Sequence, residues 1–335
     1  MIHIPRSDVN SVNALHIAAR KLHIEVETID SDAGLHLFKH QGKRFFVRQH
    51  IPDLNSYVAS RVINNKYLAK KILLKNNISV PSGVTFSNLH KVLLSLREGS
   101  IKYPLVVKPI EGSMGEAVTV DIRSEDWLGV AIQEVYKYNR RRWGRPGSFL
   151  VEQYIPGHDY RFLVLDGRVL TALMRKPAYV IGDGVRTIQQ LIVEYNNQPG
   201  VAKDQPLCPI VIDYELHRNL VSQQLTLETV LPHAKQIFLR RNANVSTGGR
   251  SFECFDKAAP EYLKLAARIG EIFQLRFFAV DLIARDISLY EKFAVIEIND
   301  TPGFDIHEAP YRGKPFPVAE HIVRAMFRDT TGGRA

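Results

Sequence analysis

Residues 295–299 read Val-Ile-Glu-Ile-Asn. Apolar and polar side chains that alternate with a period of two mark a strand, because successive residues point to opposite faces. Ile296 and Ile298 are expected to enter a core, with Glu297 and Asn299 together on the other side. A neighbouring strand, expected over Phe277 to Ala284, carries Val280-Asp281-Leu282. Paired strands would bring Asp281, Glu297 and Asn299 onto one sheet face. Three oxygen donors so arranged suit Mg²⁺, which takes one or two carboxylates and keeps positions for waters and phosphate oxygens. Solvated residues on an exposed sheet face would give the same pattern.

The chain has 335 residues, room for roughly two units of ~150 residues. Its two cysteines, Cys208 and Cys254, exclude a disulfide scaffold and a cysteine-based zinc cluster. They fit a reducing, cytoplasmic compartment. No apolar run approaches the ~18 residues of a membrane span, and the start lacks the pattern of a secretory signal. Forty-four Lys and Arg against 35 Asp and Glu give a net charge of +9. That charge suits nucleic acid or small polyanions such as nucleotides. The basic residues are spread out apart from Arg140-Arg141-Arg142, and nucleic-acid signatures are absent. Nucleic acid is therefore not the expected partner.

The first ~80 residues read as a small α/β unit, with strands over Ile24–Ile29 and Arg44–Arg48 and a helix over about Asn65–Lys75. Val80-Pro81 ends it, since the residue before proline favours extended backbone. Strands are expected at Leu105–Lys108, Ala117–Val120 and Phe149–Val151. Ser124 caps a helix, and a polar loop follows at 139–148. Asp166-Gly167 between apolar runs marks a hairpin. Thr187 caps another helix, and further helices are expected at about Pro260–Phe273 and Val318–Phe327. The class is α/β (α+β) with several antiparallel hairpins.

Three more stretches carry chemistry. Lys108 ends a strand before Pro109-Ile110-Glu111-Gly112-Ser113-Met114-Gly115. A glycine turn folds over phosphates with its N–H groups while a lysine adds fixed charge; an ordinary hairpin turn would look alike. Val151-Glu152-Gln153-Tyr154-Ile155-Pro156-Gly157-His158-Asp159-Tyr160-Arg161 puts acids where they can accept from a purine amine and ribose hydroxyls, or simply face solvent. Leu239-Arg240 through Asn244 to Gly248-Gly249 joins cations, amides, hydroxyls and paired glycines, an anion-binding mixture.

In this order, the motifs resemble the ATP-grasp carboxylate–amine ligases, most closely the ligase modules of cyanophycin synthetase and bifunctional glutathione synthetase. Val180-Ile181-Gly182-Asp183-Gly184 and Pro302-Gly303-Phe304 with His307 add to the match, which spans roughly 64–328. The resemblance implies an N-terminal α/β domain over 1–80, a small subdomain with the glycine loop over 81–155 and a large subdomain over 156–335, the last two clamping ATP. By position it implies that Lys66, Lys108, Gly112, Ser113, Met114 and Gly115 contact phosphates. Glu152, Gln153 and Ile155 would meet adenine, and Asp159 the ribose. Asp281, Glu297 and Asn299 would hold Mg²⁺ or Mn²⁺. Arg161, Arg240 and Asn244 would act at the transferring phosphate and substrate carboxylate. The loop departs from cyanophycin synthetase at Glu116 and Ala117, where that family has a basic residue and a glycine.

The implied activity is an ATP- and Mg²⁺-dependent ligase that activates an amino-acid or peptide carboxylate as an acyl phosphate and couples it to an amine. The resemblance also leans to a homo-oligomer. The alternatives are an inactive ATP-binding sensor or partner-binding protein, and an RNA-associated protein using the basic run at 140–145.

Overall fold

The computed structural model describes residues 10–112, 115–203 and 205–328. Ser113 and Met114, two of the expected phosphate contacts, lie outside them. The first described element is α1 (Ser11–Lys21), capped by the Asn10 side chain, which accepts from the Asn13 N–H at 2.8 Å. An antiparallel meander follows: β1 (Glu25–Asp30), β2 (Leu35–His40), β3 (Lys43–Arg48) and β4 (Ile51–Pro52). This meander shares its core with the far end of the chain. Leu15, Ala18, Phe38 and Val47 pack with Leu163, Phe277, Phe304 and Ile322. Each fully buried large apolar side chain contributes on the order of 2 kcal/mol.

Next come α2 (Tyr57–Asn64) and α3 (Lys66–Lys75). Asn65 caps α3 by accepting from Leu68 N–H at 3.0 Å. Packing sets the helix rotation: Ala69 and Leu73 bury with Phe162, Tyr262, Val280 and Ile298, and Lys66 and Lys70 lie one turn apart.

The second sheet is formed by β5 (Gly83–Phe86), β6 (Leu105–Pro109), β7 (Thr119–Ile122) and β8 (Phe149–Gln153), in the order β5-β8-β6-β7 and antiparallel throughout. Helices α4 (Leu89–Arg97) and α5 (Glu125–Trp143) cover one face. There Val92, Leu128, Ile132 and Val135 meet Leu105, Val107, Phe149 and Val151. The alternate residues Val106, Lys108 and Glu152 point the other way, into a cleft. Two expectations fail here. The stretch 139–148 is not all loop: α5 continues to Trp143 and stops at Gly144 (φ +71°). Nothing in Asn139–Trp143 breaks a helix, and Asn139 is buried, donating to the Pro146 and Ser148 carbonyls. The strand expected from Ala117 begins only at Thr119, because Ala117 has φ +53°, outside the extended region.

The third sheet has five strands, each antiparallel to its neighbours. Its first strands, β9 (His158–Leu165) and β10 (Arg168–Lys176), turn at Asp166-Gly167 with φ of +47° and +74°, as the hairpin signal required. A unit with its own core then departs: β11 (Tyr179–Ile181), α6 (Ile188–Asn196), α7 (Tyr214–Ser222) and β12 (Gln236–Phe238). Thr187 and Gln190 cap α6 reciprocally. The chain returns through β13 (Arg250–Glu253), α8 (Pro260–Phe273), β14 (Phe277–Ala284) and β15 (Phe293–Asn299), ending with α9 (Asp305–Glu308) and α10 (Val318–Phe327). Helix α8 covers one face of this sheet.

The alternation expected for β15 is broken at one residue. The ladder shifts between Asp281↔Glu297 and Leu282↔Val295, so Ile296 is the extra residue of a bulge. Val295 and Ile298 enter the core, while Ile296, half-buried, lines the cleft beside Glu297. Among the described residues no helix is long and apolar enough to cross a membrane.

Candidate active site

The cleft has a volume of about 630 Å³. One wall is the open face of the second sheet and the glycine loop. The other is the third sheet, with the stretch 240–244 closing one side.

On the first wall Glu152 is 3% exposed. Its Oε2 lies 2.8 Å from Lys108 Nζ, and its Oε1 pairs with Lys70. Burial alone would raise the Glu152 pKa, but Lys108 and Lys70 overcome it and hold it below the ordinary carboxylate value. Lys108 Nζ also reaches across to the Ile296 carbonyl at 3.4 Å. Lys66 spans the walls: its Nζ donates to the Gly112 carbonyl at 2.6 Å and sits 3.0 Å from Glu297 Oε1. Gln153 and Ile155 both line the cleft, and the Gln153 side-chain amide donates to the Pro104 carbonyl at 2.9 Å.

On the second wall the register places Arg161 opposite Asp281, and Asp281 opposite Glu297. Arg161 grips Asp281 with two bonds of 2.7 Å. Arg175 donates to Asp281 Oδ2 at 2.9 Å and to Asp159 Oδ1 at 2.7 Å. Burial raises the pKa of both acids. For Asp281 the two guanidinium groups win, and its pKa falls. For Asp159 burial wins over Arg175, the negative charge of Asp281 adds to it, and its pKa rises. Asn299 faces the same side as Glu297, accepts from Thr301 N–H at 3.0 Å and is not among the cleft-lining residues.

Arg240 is 2% exposed; it donates to the Val211 carbonyl at 3.2 Å and pairs with Asp213 at 2.5 Å. The residue lines the cleft, and its buried Nε has no hydrogen-bond partner among the described residues. Asn244 packs against Gly115, and its carbonyl accepts from Gly249 N–H at 3.0 Å. Neither cysteine lines the cleft, and burial pushes the Cys254 thiol up to about 12. A cysteine nucleophile therefore has no place here.

The geometry thus gathers Lys66, Lys108, Gly112, Gly115, Glu152, Gln153, Ile155, Asp159, Arg161, Arg240, Asn244, Asp281 and Glu297 around one space. Among the described residues no group of three or more His, Cys, Asp or Glu side chains could hold a metal ion. The expected set is two carboxylates and an amide, all oxygen donors, with the two carboxylates already facing cationic groups. Three contributors were not foreseen. Lys70 follows Lys66 by four residues, a helical spacing that did signal a shared face. Arg175 and the Arg241–Asp121 pair, which ties the 240–244 stretch to β7, have no local signal.

Residues 63–179 match the model of the RimK-like ATP-grasp domain. The matched span of this domain includes Lys66, Lys70, Lys108, Glu152, Asp159, Arg161 and Arg175; Asp281, Glu297 and Asn299 lie beyond it. The chain is 36% identical to cyanophycin synthetase of Trichormus variabilis over 81% of its own length and 30% of that protein. It is 30% identical to the glutathione biosynthesis bifunctional protein GshAB of Clostridium perfringens, over 82% of its length and 35% of that protein. The chain thus spans about a third of the length of these relatives. A bifunctional glutathione synthetase from Pasteurella multocida superposes with a TM-score of 0.66 at 26% identity, covering 96% of this chain and 44% of that one. The mixed α/β architecture with antiparallel sheets is the ATP-grasp fold.

Proposed function

We propose that the cleft binds ATP with Mg²⁺ or Mn²⁺ and that the protein is an ATP-dependent carboxylate–amine ligase. The observation that carries this reading is Lys66, whose single ammonium joins the glycine loop at Gly112 to Glu297 on the opposite wall. A nucleotide between the walls would have its phosphates among Lys66, Lys108 and the loop. Glu152 and Ile155 would face adenine, and Asp159 the ribose. Residues 81–155 and 156–335 then act as two jaws, with 1–80 packed alongside.

Asp281, Glu297 and Asn299 would hold the metal, which when bound supplies positive charge against the phosphate oxygens. A carboxylate is a poor electrophile because its leaving group would be oxide. Attack of its oxygen on the γ-phosphorus gives an acyl phosphate and ADP. An amine then attacks the acyl carbon, and phosphate leaves as the amide forms. Lys66, Lys108 and Arg240 offset the repulsion between carboxylate and phosphate. The close approach of Gly115 to Asn244 shuts this side of the cleft and keeps water from the acyl phosphate. The substrates proposed are amino acids or short peptides, in the cytoplasm, with the protein as a homo-oligomer.

Incubation with ATP, Mg²⁺ and a panel of amino acids and short peptides tests this reading, with products read by mass spectrometry. ADP, phosphate and an amide are expected. AMP with pyrophosphate would refute the acyl-phosphate route, and ATP binding without turnover would favour a sensor.

A further inference from the structure

Both oxygens of the Glu152 carboxylate are already occupied by lysines, Oε1 by Lys70 and Oε2 by Lys108. The two cations are not equivalent. Lys108 lines the cleft and touches the Ile296 carbonyl across it. Lys70 comes from α3, does not line the cleft, and its side chain is 8% exposed. Burial lowers the Lys70 pKa, the ammonium of Lys108 adds to that, and the Glu152 carboxylate opposes it. Only Lys108 has open volume in front of it.

We propose that Lys70 is a positioning residue, the permanent counter-ion that keeps Glu152 fixed and charged while Lys108 turns from Glu152 to a nucleotide phosphate. This rests on the nucleotide reading above. In the exchange Oε2 of Glu152 is released to accept from an amine such as that of adenine. Without Lys70, Lys108 is the last partner of a buried carboxylate. Leaving such a charge alone is costly, so Lys108 stays where it is. Nucleotide binding then weakens although Lys70 never touches the nucleotide. Replacing Glu152 as well removes the charge that detains Lys108.

The test is calorimetric binding of ATP with Mg²⁺ to the full chain in five forms: wild type, Lys70→Met, Lys70→Arg, Glu152→Gln and the Lys70→Met/Glu152→Gln double variant. Lys70→Met is expected to bind ATP about tenfold more weakly, a coupling of the size seen between contacting charged groups. Lys70→Arg, which keeps the charge, is expected within about threefold of wild type. The double variant is expected to match Glu152→Gln alone, and in turnover Lys70→Met should raise KM for ATP more than it lowers kcat. Equal ATP affinity in Lys70→Met and wild type would overturn the proposal while leaving the nucleotide reading intact. A wild type that binds no ATP would overturn both. Should Lys70→Met fail to fold, the double variant decides. ATP binding clearly weaker than in Glu152→Gln would show that Lys70 does not act through Glu152 and would overturn the proposal.

Discussion

Asn244 sits against the glycine loop so closely that a Cβ built on Gly115 would lie 1.6 Å from its Nδ2. The loop of one wall and the 240–249 stretch of the other therefore meet only because residue 115 has no side chain. Gly115 also holds φ +67°, where a Cβ is unfavourable. Closure of the cleft on this side depends on that contact.

Gly115→Ala should separate the two segments while leaving every core intact. We expect kcat/KM for ATP to fall about tenfold or more, since a displacement near 1 Å is enough for such losses. Thermal melting should change little. Unchanged steady-state kinetics would count against closure at this point.

Asp281 is 1% exposed and holds both Arg161 and Arg175. Asp281→Asn keeps the shape and removes the charge, leaving two buried guanidinium groups without their shared anion. A loss of about 3–5 kcal/mol is expected in urea unfolding. Metal-dependent ATP turnover should vanish under conditions where the variant stays folded. The parallel change Asp166→Asn, which breaks a part-exposed pair with Arg276, should cost at most about 1 kcal/mol. Similar costs for the two would show that burial is not what makes Asp281 critical.

Glu308 in α9 accepts from Ala319 N–H at 2.7 Å. Burial pushes its pKa from 4.5 up to about 7, with the charge of Asp305 adding to the rise and the N–H opposing it. The folded state thus prefers the protonated acid. Its stabilising effect is complete below the unfolded value of 4.5 and is lost as pH rises through about 7. Glu308→Gln keeps the acceptor and cannot ionise. It should melt higher than wild type at pH 8, by on the order of 2 kcal/mol, and alike at pH 5. A greater benefit at pH 5 than at pH 8 would refute the assignment.

Asp121, buried on β7, pairs with Arg241 and with Arg123, and Arg218 of α7 donates to the neighbouring Val120 carbonyl at 2.8 Å. These bonds tie the unit of β11, α6, α7 and β12 to the second sheet. Asp121→Asn should loosen that tie. Faster amide exchange is expected across 240–249, with protection of β9 and β14 unchanged. Equal exchange in the two proteins would mean that other contacts hold the unit.

Much of the site was legible because its determinants are local. The alternation in Phe277–Ala284 and Phe293–Asn299 marked both strands, and Asp166-Gly167 marked the hairpin that carries Asp159 and Arg161. Caps at Ser124 and Thr187 started their helices where expected. Helices Leu89–Arg97 and Tyr214–Ser222 and strand Leu35–His40 went unseen. Both helices do carry local signals, the caps Asn88 and Asp213 and, in the first, Leu89, Val92, Leu93 and Leu96 at helical spacing; the strand buries His36 and Phe38, a face that its order of apolar and polar residues does not mark.

Residue order alone decided which side chains each strand and helix offers, because φ/ψ preference, caps and turn chemistry act within a few residues. It could not decide who meets whom. The strand order β13-β10-β9-β14-β15 put Arg161 and Arg175 on Asp281, the bulge at Ile296 turned that residue out of the core, and packing of α3 laid Lys70 beneath Glu152. Charge pairing depends on distance through space, and only the assembled sheets set those distances.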